Sequence, residues 1–216
     1  MPHDTAPPAP TPEPPLTLRQ KRRRELVSHV RDVAMREFAE HGFASVSVQR
    51  LCELAGISES TFFRHFGTKE EVVADAFRQS TEEVALLMRQ EGGSELVEPY
   101  LRALREAFRS LGLEEADLMY RVFQLVITPR VRAVFIEDVA RPHPAMDAEI
   151  ARRLGVTDDD ARVRAVRAVQ WIATDQAMAM TAPGDTLDDL VERLRENLVL
   201  LAEIEHGRAV RGASRT

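Results

Sequence analysis

The stretch Ser58 to Glu71 reads SESTFFRHFGTKEE, placing Ser58, Ser60 and Thr61 ahead of Arg64 and His65, with Lys69 shortly after. Small hydroxyls at a helix start let the backbone approach a partner closely, and a helix N-terminus with cations nearby favours an anion. The chemistry on offer is hydrogen bonding and charge pairing, not bond making. Two readings compete at this point: a surface turn, or an edge that touches nucleic acid.

Elsewhere the reactive residue types do not assemble into a catalytic set. Asp175, near Trp171, is the carboxylate best placed to serve as an acid, yet no nucleophile or base accompanies it. The six histidines (His3, His29, His41, His65, His143 and His206) lack ligand spacing, so neither a metal site nor a cofactor is expected. Asp158, Asp159 and Asp160 suit the positive end of a helix, and the lone Cys52 reads as a buried thiol. The protein is not expected to be an enzyme.

Charge is uneven along the 216 residues. The formal net charge is -6, yet Leu16 to Ser80 holds 11 Lys and Arg against 9 Asp and Glu. The run RQKRRR, Arg19 to Arg24, packs five cations without an acid. A basic arm on an acidic body is either a solvated helix end or an electrostatic footprint for nucleic acid. A single cysteine and the absence of a secretory signal at the N-terminus predict a reducing, cytoplasmic setting. No apolar run reaches 18 residues, so no membrane partner is expected.

The elements that must position these residues are helices, and the fold class expected is all-α, with about nine to ten helices. Seven of the twelve prolines fall in residues 1–15, which predicts a disordered Pro/Ala-rich tail. A first helix is expected over about Thr17 to His41, with Leu26, Val30, Val33, Ala34 and Phe38 on one face. Two short helices follow, one carrying Val48, Leu51 and Leu54, the other running from Ser58 to Phe66. Thr68 then caps a long helix to about Glu91. Further helices are expected near Glu95–Leu111, Glu114–Ile127, Pro129–Ala140, Pro144–Leu154, Asp160–Thr181 and Leu187–His206. The domain plan is a helical head over 16–80, a larger helical domain over 81–207, and a flexible tail over 208–216.

Two short helices joined by AGIS, Ala55 to Ser58, have helix-turn-helix spacing, over about 47–66. In such a unit the N-terminal residues of the second helix face base edges in the major groove, which here are Glu59, Ser60 and Thr61. The longer segment FAEHGFASVSVQRLCELAGISESTFFRHFGTKEEVV resembles the DNA-binding domain of the TetR family of bacterial transcriptional regulators. Its matching parts are the ending F.E.GF, then SVS, AGIS, STFFRHF and KEEV.

That resemblance implies roles residue by residue. Ser47 and Gln49 match positions that touch phosphate and sometimes a base. Glu59, Ser60, Thr61 and Arg64 match recognition-helix positions, and His65 and Lys69 match phosphate contacts. Phe63 departs from the usual Tyr and trades a phosphate hydrogen bond for an apolar contact, such as a thymine methyl. Arg22, Arg23 and Arg24 add phosphate or minor-groove contacts.

The resemblance also implies an effector pocket among the middle helices. Its candidates are Phe108, Met119, Phe123, Leu125, Trp171 and Met178, with Arg121, Gln124 or Asp175 as polar anchors. LVITPRVRAVF and IARRLG are similar to a branch answering acyl-CoA-type or other lipophilic effectors. A homodimer is expected to pair through Val166, Val169, Ala173, Leu190, Leu194, Leu198 and Leu201, residues that equally suit an internal core. The function expected is a homodimeric repressor on a near-palindromic double-stranded DNA operator, released by a small ligand. An activator or architectural regulator, or a helical ligand-binding or enzymatic protein with a vestigial head, remain the alternatives.

Overall fold

The computed structural model describes residues 17–111, 113, 116–139 and 141–205, without the side chains of 138, 139 and 200–205. The tails expected over 1–15 and 208–216, and the side chain of Leu201, lie outside the described residues. Among those residues every regular element is a helix. None is long and apolar enough to cross a membrane.

Local chemistry sets the first four boundaries. Thr17 and Gln20 form a reciprocal capping box that opens α1, Leu18–His41. The first two turns of α1, including Arg19 to Arg24, are exposed. Its later turns bury Val30, Val33, Ala34 and Phe38. Ser47 caps α2, Val48–Ala55, and Ser58 caps α3, Glu59–Phe66. Between them Gly56 takes φ 64 and ψ 35, a left-handed conformation that glycine adopts without steric cost. The amide of Ile57 reaches back to the Cys52 carbonyl at 3.0 Å, closing the turn as a Schellman motif.

Thr68 caps α4, Lys69–Glu91, through the amide of Glu71. This helix is buried along most of its length, from Val72 and Val73 to Ala85 and Met88. Its beginning packs on α1. Its remainder packs on α5 (Val97–Ser110), α7 (Pro129–Val139) and α8 (Pro144–Leu154). α6 (Ala116–Val126) bridges α1 and α7. α9 (Ala161–Ala179) and α10 (Leu187–Glu205) pair at the far side, with α10 also against α5. Thr186 and Asp189 cap each other at the start of α10.

Most of the residues expected at a dimer seam, which equally suit an internal core, pack within the α9–α10 pair. Ala173, Leu190 and Leu194 are almost completely buried within the single chain, and Leu198 is nearly so. α10 folds back onto α9 and α5, and the leucine seam closes that junction. Val166 is half-buried, while Val169 is exposed, beside the equally exposed Ile172 and Met180. The apolar stripe left on the outside of α9 therefore runs through Val169, Ile172 and Met180.

Candidate nucleic-acid interface and effector cavity

The core beneath α3 is built by Leu51, Phe62 and Phe66, all buried, with the Phe62 and Phe66 rings 5.4 Å apart. This anchors one face of an eight-residue helix and turns the other outward. Glu59, Ser60, Phe63 and Arg64 are exposed, and Thr61 and His65 are half-buried. Ser58 Oγ donates to Thr61 Oγ1 at 3.0 Å while accepting from the Thr61 amide, so the first turn is stiff before any partner arrives. Phe63 keeps 49% of its surface exposed and meets Phe62 edge-on. Ser47 is exposed while capping α2, and Gln49 is exposed while donating to Glu53 at 3.1 Å.

Electrostatics link this face to the basic arm. Burial lowers the pKa of His65 below 6.5, and the charges of Arg64 and Arg23 lower it further. The imidazole Nδ1 is buried and has no hydrogen-bond partner among the described residues. Arg22, Arg23 and Arg24 are exposed on the first turns of α1. Lys69 is differently placed: its ammonium donates to the carbonyls of Phe43 at 2.6 Å and Val46 at 3.0 Å. Burial lowers its pKa, Glu70 opposes that shift and Arg130 adds to it.

Against the middle of α4 lies a largely apolar cavity of about 100 Å³. Phe77, Phe108 and Phe135 pack edge-to-face around it. Tyr100 Oη and Thr174 Oγ1 are 2.9 Å apart, and burial pushes the Tyr100 phenol up to about 12. Arg132 pairs with the buried Asp175 at 2.5 Å. Ser80, almost wholly buried on the α4 wall, has a hydroxyl with no hydrogen-bond partner among the described residues.

Known proteins share this assembly. The family described as bacterial regulatory proteins, tetR family, matches residues 30–76. The transcriptional regulator TcmR of Streptomyces glaucescens is 30% identical over 165 residues, covering 70% of this chain and 71% of TcmR. The chain belongs to the TetR family. It is a DNA-binding transcriptional regulator. The repressor AcnR of Corynebacterium glutamicum is 27% identical over 164 residues, 74% of this chain and 84% of AcnR. A protein of Syntrophomonas wolfei described as a TetR-family regulator overlays with a TM-score of 0.58 at 14% identity. That overlay covers 83% of this chain and 96% of the other, a likeness of fold. The TetR-family repressor FadR of Thermus thermophilus, solved in complex with lauroyl-CoA, overlays with a TM-score of 0.50 at 27% identity. It covers 82% of this chain and 93% of FadR.

In this TetR-family chain the effector candidates divide. Phe108, Trp171, Asp175 and Met178 line the enclosed cavity. Met119 and Phe123 do not; both are wholly buried, and Phe123 backs the cavity wall 5.7 Å from Phe108. Arg121, Gln124 and Leu125 line a separate cleft facing α1. The cause is that α6 turns one side to the core and the other to the head. Sequence reasoning missed Phe77, Ser80 and Thr81 on α4, Arg132 and Phe135 on α7, and Tyr100 on α5. One signal was available: Ser80 stands in the apolar stripe of α4, between Phe77 and Val84. Among the described residues Glu37, Glu40 and His41 come together at the end of α1. Glu37 already pairs with Arg50 and His41, at 3.5 and 3.6 Å.

Proposed function

We propose that the chain is a homodimeric repressor whose operator affinity falls when a small lipophilic ligand enters the enclosed cavity. The observation that carries this reading is the course of α4. One uninterrupted helix begins with Lys69, clamped to the loop before α2, and continues to Phe77, Ser80, Thr81 and Val84 in the cavity wall. A side chain displaced at Phe77 moves a rigid rod whose near end holds the helix-turn-helix. Coupling of about 1–3 kcal/mol gives roughly 5- to 150-fold release.

On this reading the head spans 16–80 and the remaining helices to 207 form the effector and dimerisation domain, with α4 common to both. Glu59, Ser60, Thr61 and Arg64 meet base edges. Ser47, Gln49, His65 and Arg22 to Arg24 meet phosphate, and Lys69 has one N–H left for the same purpose. Two heads must present α3 about 34–36 Å apart to reach successive major grooves. The exposed stripe Val169, Ile172 and Met180 is the face assigned to pairing.

The cavity bears on the ligand. A dry cavity of about 150 Å³ accepts benzene, so about 100 Å³ admits little more than a small apolar group. An acyl chain of the kind bound by FadR requires α4 and α7 to part, and that parting is the switch. Asp175 serves as the partner of Arg132, a binding role and not an acid catalyst.

The experiment is selection of bound fragments from a random DNA pool at near-physiological salt, followed by titration with lauroyl-CoA and with ligand that copurifies. A near-palindrome bound more weakly in the presence of ligand is the expected result. Equal affinity for scrambled DNA, or a response flat to salt, would overturn the reading.

A further inference from the structure

A second opening is larger than the effector cavity and lies elsewhere. It is a cleft of about 900 Å³ between the head and the body. Its head side is the end of α1 and the loop that follows, with Phe38, Phe43 and the side chain of Lys69. Its body side is the junction of α6 and α7, with Tyr120, Arg121 and Arg130. We propose that this cleft is a second ligand site, taking a small organic anion with an aromatic or other flat apolar part.

Charge is the first ground. Three cations, Lys69, Arg121 and Arg130, line the cleft against a single acid, Glu40. Arg121 and Arg130 are exposed and have no ion-pair partner among the described residues. Arg130 is close enough to disfavour the charge on Lys69, although the adjacent Glu70 favours that charge more strongly. An anion between the two cations relieves their repulsion.

Preorganisation is the second ground. Two of the three ammonium donors of Lys69 are fixed on Phe43 and Val46, and the group stands 4.3 Å from the Phe43 ring centroid. Its position is set before a ligand arrives, which reduces the ordering cost of binding. Phe38, Phe43, Tyr120 and Leu125 supply an apolar wall, and guanidinium groups pair with carboxylate, sulfonate or phosphate oxygens through paired donors. The volume lies within the range of small-molecule sites. Duplex phosphates match the cations but bring no apolar group to cover the half-buried Tyr120 and Phe43.

A ligand here touches the loop between α1 and α2 and the first residue of α4 on one side. On the other it touches the α6–α7 junction. It ties the head directly to the body, whereas the other cavity acts through the middle of α4. Operator affinity then answers to two separate inputs.

The test uses the full chain and two fluorescent probes, the anion 1-anilinonaphthalene-8-sulfonate and the uncharged N-phenyl-1-naphthylamine. The variants are the doubles Arg121→Ala/Arg130→Ala and Arg121→Lys/Arg130→Lys, both at exposed positions. The expected result is that the alanine pair weakens the sulfonate at least about tenfold. The lysine pair restores most of the affinity, and the uncharged probe binds all three proteins alike. Equal sulfonate binding by all three, or none by the unaltered chain, overturns the proposal. So does loss of random-duplex binding in the alanine pair with sulfonate binding intact, because the cations then serve DNA phosphates.

Discussion

The ammonium of Lys69 donates to the carbonyl oxygen of Phe43 at 2.6 Å and stands above that residue's ring. The first residue of the long helix α4 thereby holds the loop that feeds α2, and the helix-turn-helix is fixed to the rod that reaches the effector cavity. In Lys69→Met the carbonyls of Phe43 and Val46 lose this donor. The expected loss is about 1–2 kcal/mol of stability, read by urea unfolding. The same variant is expected to bind operator more weakly because the loop loosens. Unchanged stability would show that the clamp carries no energy.

His65 gives the reading face a pH dependence with a definite sign. Burial, then Arg64 and Arg23, hold its pKa below 6.5 in the free protein, so the ring is neutral near pH 7. An adjacent DNA phosphate favours the protonated ring, so binding takes up a proton as pH falls. Operator affinity is expected to rise between about pH 7.5 and pH 6, and the slope to vanish in His65→Gln. Folding stability moves oppositely. The folded pKa is depressed, so this contribution is complete above 6.5 and is lost as pH falls through the lowered value. Fluorescence anisotropy and thermal melts over the same pH series read the two effects.

Which parts were legible in the sequence follows from how local their causes are. The starts of α3 and α4 are fixed by Ser58 and Thr68 bonding amides three residues on, and the turn between α2 and α3 by Gly56. Such signals sit within one helical turn, and the boundaries they predict agree with the structure. The face of α6 was not legible. Arg121 and Gln124 look inward or outward according to how α6 meets α1, a contact between segments some eighty residues apart. Leu190 and Leu194 show the same limit, since periodicity marks a residue for burial without naming what covers it. The cleft at Lys69 and Arg130 had no sequence signature, because packing alone brings those two residues together.

Arg153 joins α8 to the end of α4. Its fully buried guanidinium pairs with Glu149 at 2.6 Å and also donates to the carbonyls of Met88 and Glu95. Burial pushes the Glu149 carboxyl up, but hydrogen bonds from Arg152 and Arg153 outweigh it and hold the group below its usual 4.5. Arg153→Met leaves the buried Glu149 carboxylate with Arg152 alone and strips the Met88 and Glu95 carbonyls of their donor, and is expected to cost about 3 kcal/mol. Adding Glu149→Leu is expected to recover part of that loss, so the double variant is more stable than the two single losses sum to. A double-mutant cycle by urea unfolding at neutral pH makes the measurement, and strict additivity would dissolve the pair.

The stripe Val169, Ile172 and Met180 is accessible in the single chain, so altering it leaves the internal seam of Leu190 and Leu194 intact. Val169→Glu with Ile172→Glu is expected to give a folded monomer by sedimentation velocity. Each monomer keeps one reading head, and operator affinity is expected to fall at least about a hundredfold through lost bivalency. A variant that still sediments as a dimer would move the pairing face elsewhere.

Ser80 separates stability from response. Its hydroxyl is buried on the cavity wall without a hydrogen-bond partner among the described residues, an arrangement that costs about 1–3 kcal/mol when no ligand satisfies it. Ser80→Ala removes the unsatisfied group at almost constant shape, so the ligand-free protein is expected to melt at a higher temperature. Operator binding without ligand is expected to be unchanged, because Ser80 lies three turns of α4 away from Lys69. Release by ligand is expected to need a higher concentration, by about three- to tenfold, because the ligand loses a hydrogen bond that the free protein was holding open. A melting temperature that falls in Ser80→Ala would mean that the hydroxyl is satisfied in solution, and the polar contacts offered to a ligand would then fall to the Tyr100–Thr174 and Arg132–Asp175 pairs.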